Sequence, residues 1–313
     1  MSRKVNGFVI IGLLTMILLG LVCTGARSGT YPPGISYSSM LNGIKYFPRN
    51  GGFRLYHIQA TFLPGPDTKG WVILSKKDGE KLYRYDFKVE LLKAPYYLMD
   101  FYKAEDLKAG KKIASHNIKL TEPGKYTLDF HLDSGKFYTF DFSTSKLKSS
   151  DPFAGGDALF LDGPWSDWGY LYYRQASSDR NLVWKVWLRN KGIKKSQSAK
   201  VKLEIVRNKD GKRIATNRPR TTYTLQQTWN RFSFDLIHPM KGTGGGAIFK
   251  AKELLAKEGA YTLKMAVNGK HYGKWTFNVK GGKLQYAGRA DRSKANPVTF
   301  IEGGRDAWWY KKK

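Results

Sequence analysis

Acidic residues are scarce in this chain and cysteine is almost absent. Of 313 residues, 25 are Asp or Glu against 54 Lys or Arg, a formal charge of +29. The single cysteine, Cys23, excludes an intramolecular disulfide and a four-cysteine zinc site. The five histidines (His57, His116, His131, His238, His271) are scattered, with no HExxH and no pair at metal-ligand spacing. No GxSxG elbow occurs, and distant carboxylates such as Asp86 and Asp235 would have to meet through the fold to do acid–base work. The loop Gly242-Thr243-Gly244-Gly245-Gly246 offers backbone N–H groups to an anion but lacks the Gly-Lys-Ser/Thr ending of a P-loop, so it reads as a flexible insertion. These absences argue against an enzyme, and no cofactor is implied.

One long apolar run is present. Arg3 and Lys4 precede residues 8–23, and Thr24, Gly25 and Ala26 follow as small residues. Basic, apolar and small residues in that order form a signal-peptide pattern, with cleavage expected after Ala26. An uncleaved anchor is the alternative, and a lipid-modified Cys23 a third reading, with Val22 where a small residue is expected. All three export the bulk of the chain to the periplasm, the cell surface or the medium. The absence of Asn-x-Ser/Thr sequons agrees with a prokaryotic exporter. No transmembrane segment is expected beyond this one.

Elsewhere the chain alternates. Tyr83, Tyr85, Phe87 and Val89 fall on one face and Arg84, Asp86, Lys88 and Glu90 on the other. Tyr126, Leu128, Phe130 and Leu132 alternate likewise, and further runs lie near 53–63, 97–103, 137–143, 182–189, 199–207, 231–236, 260–267 and 274–279. Between them stand turn signals at Lys77-Asp78-Gly79, Asp133-Ser134-Gly135, Lys209-Asp210-Gly211 and Asn268-Gly269. Many short strands with glycine-rich turns predict an all-β sandwich fold.

The pattern occurs twice. GKKIAS at 110–115 returns as GKRIAT at 211–216, and the inward set Tyr83, Tyr85, Phe87 returns at the same offset as Trp184, Val186, Leu188. EPGKYTL at 122–128 returns as KEGAYTL at 257–263, and YTFDF at 138–142 as WTFNV at 275–279, so the second copy is 34 residues longer between these landmarks. That excess holds the glycine loop and a helical stretch, FKAKELLAKEG.

A Gly-x-Tyr entering a late strand, then a tight hairpin and a last aromatic strand, resembles the closing strands of immunoglobulin-like or fibronectin-III-like sandwiches. In those a tyrosine hydroxyl fixes a corner, and Tyr126 and Tyr261 are the matching positions. The resemblance implies two tandem Ig-like domains and no particular activity. The expected layout is a signal or anchor at 1–26, a flexible lead-in at 27–50 and a first sandwich at 51–148. A linker at 149–156 leads to a second sandwich at 157–284 with an insertion at about 237–258, and 285–313 is a tail.

Charge separates the copies. Residues 51–150 carry 17 basic and 12 acidic residues, whereas 151–284 carry 25 and 10. If Trp184, Val186 and Leu188 face a core, Lys185, Trp187 and Arg189 face outward. If Ala199, Val201, Leu203 and Ile205 face inward, Lys200 and Lys202 also point out. Paired as a hairpin, the two strands would present four cations around an exposed tryptophan, suited to an anionic polymer. The competing reading has Trp187 covered by the neighbouring domain or the tail. Near the junction Asp151, Asp157, Asp162 and Asp167 lie within 17 residues, a calcium candidate that Asx turns and salt bridges also explain.

The expected function is therefore an exported, non-enzymatic binding or envelope-associated protein whose basic second sandwich meets anionic polysaccharide or lipid head groups. Export makes nucleic acid the less favoured partner. The alternative is a structural subunit of a cell-surface assembly, contacting protein partners through its sandwiches or edge strands.

Overall fold

The computed structural model describes residues 33–93, 96–147, 158–174, 181–192, 194–218, 222–239, 246–285 and 307–313. The apolar run 8–23, the stretch 149–156, Asp151, Asp157 and residues 242–245 of the glycine loop lie outside the described residues.

Strands dominate the described residues. The first half opens with β1 (Gly34–Ile35), helix α1 (Tyr37–Gly43), β2 (Ile44–Phe47), β3 (Gly52–Leu55) and β4 (Ile58–Thr61). Then come β5 (Lys69–Lys76), β6 (Lys81–Lys93), β7 (Tyr96–Asp106), β8 (Lys111–Ile113), β9 (Gly124–Leu132), β10 (Gly135–Leu147) and β11 (Ala158–Asp162). The second half holds β12 (Trp168–Arg174), β13 (Asn181–Leu188), β14 (Ser196–Arg207), β15 (Arg213–Asn217), β16 (Thr222–Gln226) and β17 (Asn230–Ile237). It ends with helix α2 (Ala251–Leu255), β18 (Gly259–Val267), β19 (Lys270–Lys280), β20 (Lys283–Leu284) and β21 (Ala307–Lys311).

Two large antiparallel sheets result. The first runs β1-β4-β7-β6-β5-β9-β10-β11 with β8 beside β7, and the second runs β20-β19-β18-β14-β15-β17-β13-β12-β21 with β16 beside β14. β2 and β3 form a separate hairpin. Both large sheets curl into a barrel-like sandwich. β1 packs against β10 in the first, and in the second the Lys313 N–H donates to the Lys274 carbonyl at 2.9 Å, joining the last residues to β19. The alternation read from sequence holds where the core is one-sided: Tyr85, Phe87 and Val89 are buried, while Lys88 and Glu90 are exposed. Asn268 and Gly269, both at positive φ (50° and 76°), make the tight β18–β19 turn that the Asn-Gly pair demands.

The repeat is real at the level of hairpins. Gly110 and Gly211 both turn at positive φ, and each is followed by a strand folding back on the long strand before it, β8 on β7 and β15 on β14. Tyr126 donates its hydroxyl to the Glu122 carbonyl at 2.9 Å, and Tyr261 donates to the Lys257 carbonyl at 2.6 Å, both four residues back. Each ring stacks on the matching phenylalanine of the next strand, Phe142 or Phe277, at 5.5 Å.

Sheet order differs between the copies. β6 pairs with β5 and β7, but its counterpart β13 pairs with β12 and β17. β5 pairs with β9, whereas its counterpart β12 pairs with β21, and β18 moves to β14. Two strands without a first-copy counterpart, β17 from the 34-residue excess and β21 from the tail, have taken the places beside the central hairpin. The expected β13–β14 hairpin is thereby replaced.

Three boundary expectations also change. The expected lead-in holds β1, α1 and β2, because Met40, Leu41, Ile44 and Tyr46 are buried in the core. Ala158–Asp162, expected in the second sandwich, pairs with β10 of the first sheet. The tail supplies β21. Within the insertion, the helical stretch forms as α2, its first turn closed by the Glu253 carboxylate, which accepts from the Lys250 N–H at 3.1 Å.

One aromatic cluster joins the halves. The core of the first sheet continues into Trp165, Tyr170, Trp187, Trp229, Ala307 and Trp309. Three indole N–H groups tie the joint: Trp165 donates to the Leu41 carbonyl (2.8 Å), Trp187 to Asn42 Oδ1 (3.1 Å) and Trp229 to the Leu161 carbonyl (2.7 Å). The second sheet keeps its own core around Trp184, Leu203, Leu263 and Trp275.

If the two tyrosine corners are equivalent, Tyr126→Phe and Tyr261→Phe each lower the unfolding free energy by about 1 kcal/mol, the worth of one buried hydroxyl hydrogen bond. Because the sites lie in different sheets, the double variant loses the sum, within about 0.5 kcal/mol, in urea unfolding.

Candidate polyanion-binding face

The five residues expected to form one cationic face separate into two groups. Trp187 is fully buried, stacked on Trp309 at 5.8 Å and tilted against Tyr170 at 6.0 Å, under the tail and the first half. Its neighbour Arg189 has a side chain only 7% exposed, paired with Asp162 at 2.8 Å and lying over Phe160 and Trp229. Lys185 reaches over the Tyr172 ring at 4.3 Å. β13 is a central strand buried on both faces, and its continuous apolar sequence, LVWKVWL, carries that signal. Trp187 is therefore part of the joint between the halves, covered by the tail and the first half as the competing reading expects.

Lys200 and Lys202 are exposed on the outer face of β14, and strand register brings other cations beside them. Lys264 on β18 lies opposite Glu204 of β14 on one side and opposite Lys274 of β19 on the other. Both lysines are exposed, and neither ammonium forms an ion pair among the described residues. Glu204, the acid of this row, is already shared by Lys202 and Arg213, each at 3.0 Å. Burial pushes its carboxyl up, but the hydrogen bonds from Lys202 and Arg213 outweigh that and hold it below the usual value. The backbone bond from Lys313 to Lys274 lays the exposed Lys311 and Lys313 along the same edge, while burial lowers the pKa of Lys312, over Tyr272 at 4.8 Å.

The matching positions of the first half carry a different arrangement. Where Lys264 faces Lys274, the first copy has Asp129 facing Thr139, joined by a 2.6 Å hydrogen bond from the threonine hydroxyl. Asp129 also holds Lys136 at 3.3 Å, Lys77 holds Asp141 at 3.2 Å, and Arg84 holds Asp86 at 2.8 Å. One fold thus supports a self-neutralised face in one copy and an unrelieved cationic face in the other.

The remaining candidates are placed as follows. Asp162 is engaged by Arg189 and Ser145, and Asp167 by Ser166. Among the described residues no group of three His, Cys, Asp or Glu is arranged to hold a metal ion. Asp86 and Asp235 stand in different sheets, on β6 and β17. His131 stacks parallel to Trp71 at 5.5 Å, and burial is the main cause of its lowered pKa. No helix among the described residues is long and apolar enough to cross a membrane. Compared with protein-family models, curated proteins and solved structures, the chain finds no match.

Alternation at 259–267 and 270–280 already puts Lys264 and Lys274 outside, so the same reading that singled out Lys200 and Lys202 reaches them once the pairing is known. The contribution of the tail had no local signal, because β21 joins β12 across more than 130 residues of chain.

Trp187→Ala removes an indole from the joint and leaves Asn42 without its donor. Urea unfolding should show a loss of about 3–5 kcal/mol, as for other buried Trp→Ala changes, against a change within about 0.5 kcal/mol for Lys264→Ala on the surface.

Proposed function

We propose that this chain is an exported, non-enzymatic protein of the cell envelope. In this reading its two sandwiches are Ig-like, and the outer face of β14, β18 and β19 binds anionic polymers, envelope polysaccharide above all. The observation that carries the reading is the Lys264–Lys274 pair standing where the first copy has Asp129 and Thr139. Like charges directly opposite on a sheet are destabilising by tenths of a kcal/mol, roughly 0.2–1 by the scale of cross-strand pairs, so the arrangement serves something other than folding. Lys200, Lys202, Lys264, Lys274 and Arg213 surround a single Glu204. Such a field attracts a polyanion by its summed charge, each contact being individually weak and screened over about 8 Å at physiological salt.

Edge-strand assembly has less support. Of the strands with a single sheet neighbour, β8 and β20 are short and lysine-bearing, a form that blunts pairing with another sheet.

The test is retention on heparin across a salt gradient. Lys264→Glu combined with Lys274→Glu should elute well below the wild type, with thermal unfolding unchanged because both side chains are exposed. Lys88→Glu on the first sheet should elute close to the wild type. Equal elution of the double variant and the wild type would refute the proposed face.

A further inference from the structure

The first sheet ends in an apolar tip whose two leucines stay exposed among the described residues. Leu91 and Leu92, the last apolar residues of β6, are 50% and 54% exposed, the most exposed leucines of the described core-forming strands. Across the turn, Tyr96, Tyr97 and Leu98 at the start of β7 are half-buried. Beside them, at the end of β4, comes Phe62, held at φ +57°, a backbone region costly for a bulky residue. A cluster of leucine and tyrosine at a hairpin end differs from single apolar residues scattered over a surface, which need no explanation.

Register places this tip beside β1, the first strand of the described residues. Gly34 pairs with Thr61, Thr61 with Tyr96, and Tyr96 with Lys93. Four strand ends therefore lie side by side, and Gly34 is about 14 Å from the β6 end at the usual strand spacing. Ten residues separate Cys23, the end of the apolar run, from Gly34. Even fully extended they span no more than about 35 Å. A bilayer holding residues 8–23 is thus within reach of the tip, on the same side of the sheet from which the chain emerges. The composition suits such a surface: leucines enter the acyl boundary, tyrosines sit at the headgroup level, and the chain's +29 charge attracts anionic lipid.

We propose that the β6–β7 tip, through Leu91, Leu92 and Tyr96, docks on the phospholipid bilayer in which the N-terminal apolar segment sits, fixing the sandwich against the membrane at two points. This rests on the proposed export and on the uncleaved-anchor alternative for residues 8–23, in place of cleavage after Ala26. It is independent of the basic face, which lies on the other sheet. Two contacts hold orientation where one tether alone would leave the sandwich free to tumble, since a second attachment on the same molecule acts at high effective concentration.

Depth-dependent fluorescence quenching tests this on the full chain reconstituted into vesicles of equal parts phosphatidylcholine and phosphatidylglycerol. In a Cys23→Ser background, one fluorophore is placed at Leu92→Cys and, separately, at Lys112→Cys on β8. Acyl-chain-brominated lipid should quench the label at position 92 and leave that at 112 bright. Leu91→Glu should reduce the quenching at position 92 about tenfold, with heparin retention unchanged. An unquenched label at 92 on vesicle-bound protein, or equal quenching at both positions, would overturn the docking. If the chain is not retained on the vesicles at all, the membrane reading of residues 8–23 fails and the docking with it. Heparin elution of the Lys264→Glu/Lys274→Glu variant judges the basic face separately.

Discussion

The stack of Trp187, Trp309 and Tyr170 is the contact on which the rest of the architecture depends. Trp309 lies 4.4 Å from Tyr170 and 5.8 Å from Trp187, and Tyr37 of α1 meets it edge-on at 5.1 Å. Four separate parts of the sequence converge there: the ordered lead-in, the two strands of the central second-half hairpin, and the C-terminal strand. Ring pairs of this kind add about 0.5–1.5 kcal/mol each beyond the area they bury. Each indole also needs a hydrogen-bond partner once water is excluded, and Trp187 finds Asn42 while Trp165 finds the Leu41 carbonyl. The joint is thus specified by direction as well as by hydrophobicity, which separates it from the polar interfaces usual between tandem domains.

That joint decides the sheet order of the second half. A β13 with only one buried face would accept β14 as its hairpin neighbour, as β6 accepts β7. Here Trp184, Val186 and Leu188 face the second core while Trp187 faces the shared cluster, so both faces of β13 are enclosed and its flanks go to β12 and β17. β21 then pairs with β12 and carries Trp309 into the stack, and the residues following it reach β19. The aromatic tail, the inserted strand and the altered order are one arrangement. Through it the terminal lysines come to lie along β19 beside the outward-facing lysines of β18 and β19.

Period-two alternation made the one-sided strands legible, and the paired motifs exposed the repeated hairpins down to the two tyrosine hydroxyl bonds. The same alternation misplaced Trp187, because it assumes one wet face. The run LVWKVWL, apolar on both sides of a lone lysine, is the pattern of a doubly buried strand. Lys185 fits there only by laying its ammonium over Tyr172, and Arg189 only by meeting Asp162. The lead-in looked flexible because glycine, proline and serine dominate its composition, although Met40, Leu41 and Ile44 supply enough apolar surface to hold it. Which strands become neighbours depends on contacts more than a hundred residues apart, such as that between Trp187 and Asn42, and no local window contains them.

Magnitudes explain how one fold tolerates two such different surfaces. Replacing a buried tryptophan or phenylalanine costs about 3–5 kcal/mol, whereas an exposed ion pair contributes about 0–1 kcal/mol. The second core buries Trp184, Trp275, Phe234 and Phe277, and the shared cluster adds four further tryptophans. Exchanging the Asp129–Thr139 pair for Lys264 and Lys274 therefore spends a small fraction of what the interior supplies. Stability resides in the aromatic interior and the tyrosine corners, so the outer face of β18 and β19 is free to be set by what it meets in solution. In the first copy that face is balanced by Asp129, Asp141 and Asp86. In the second, Glu204 is committed to Lys202 and Arg213, and Lys264 and Lys274 beside it form no ion pair among the described residues.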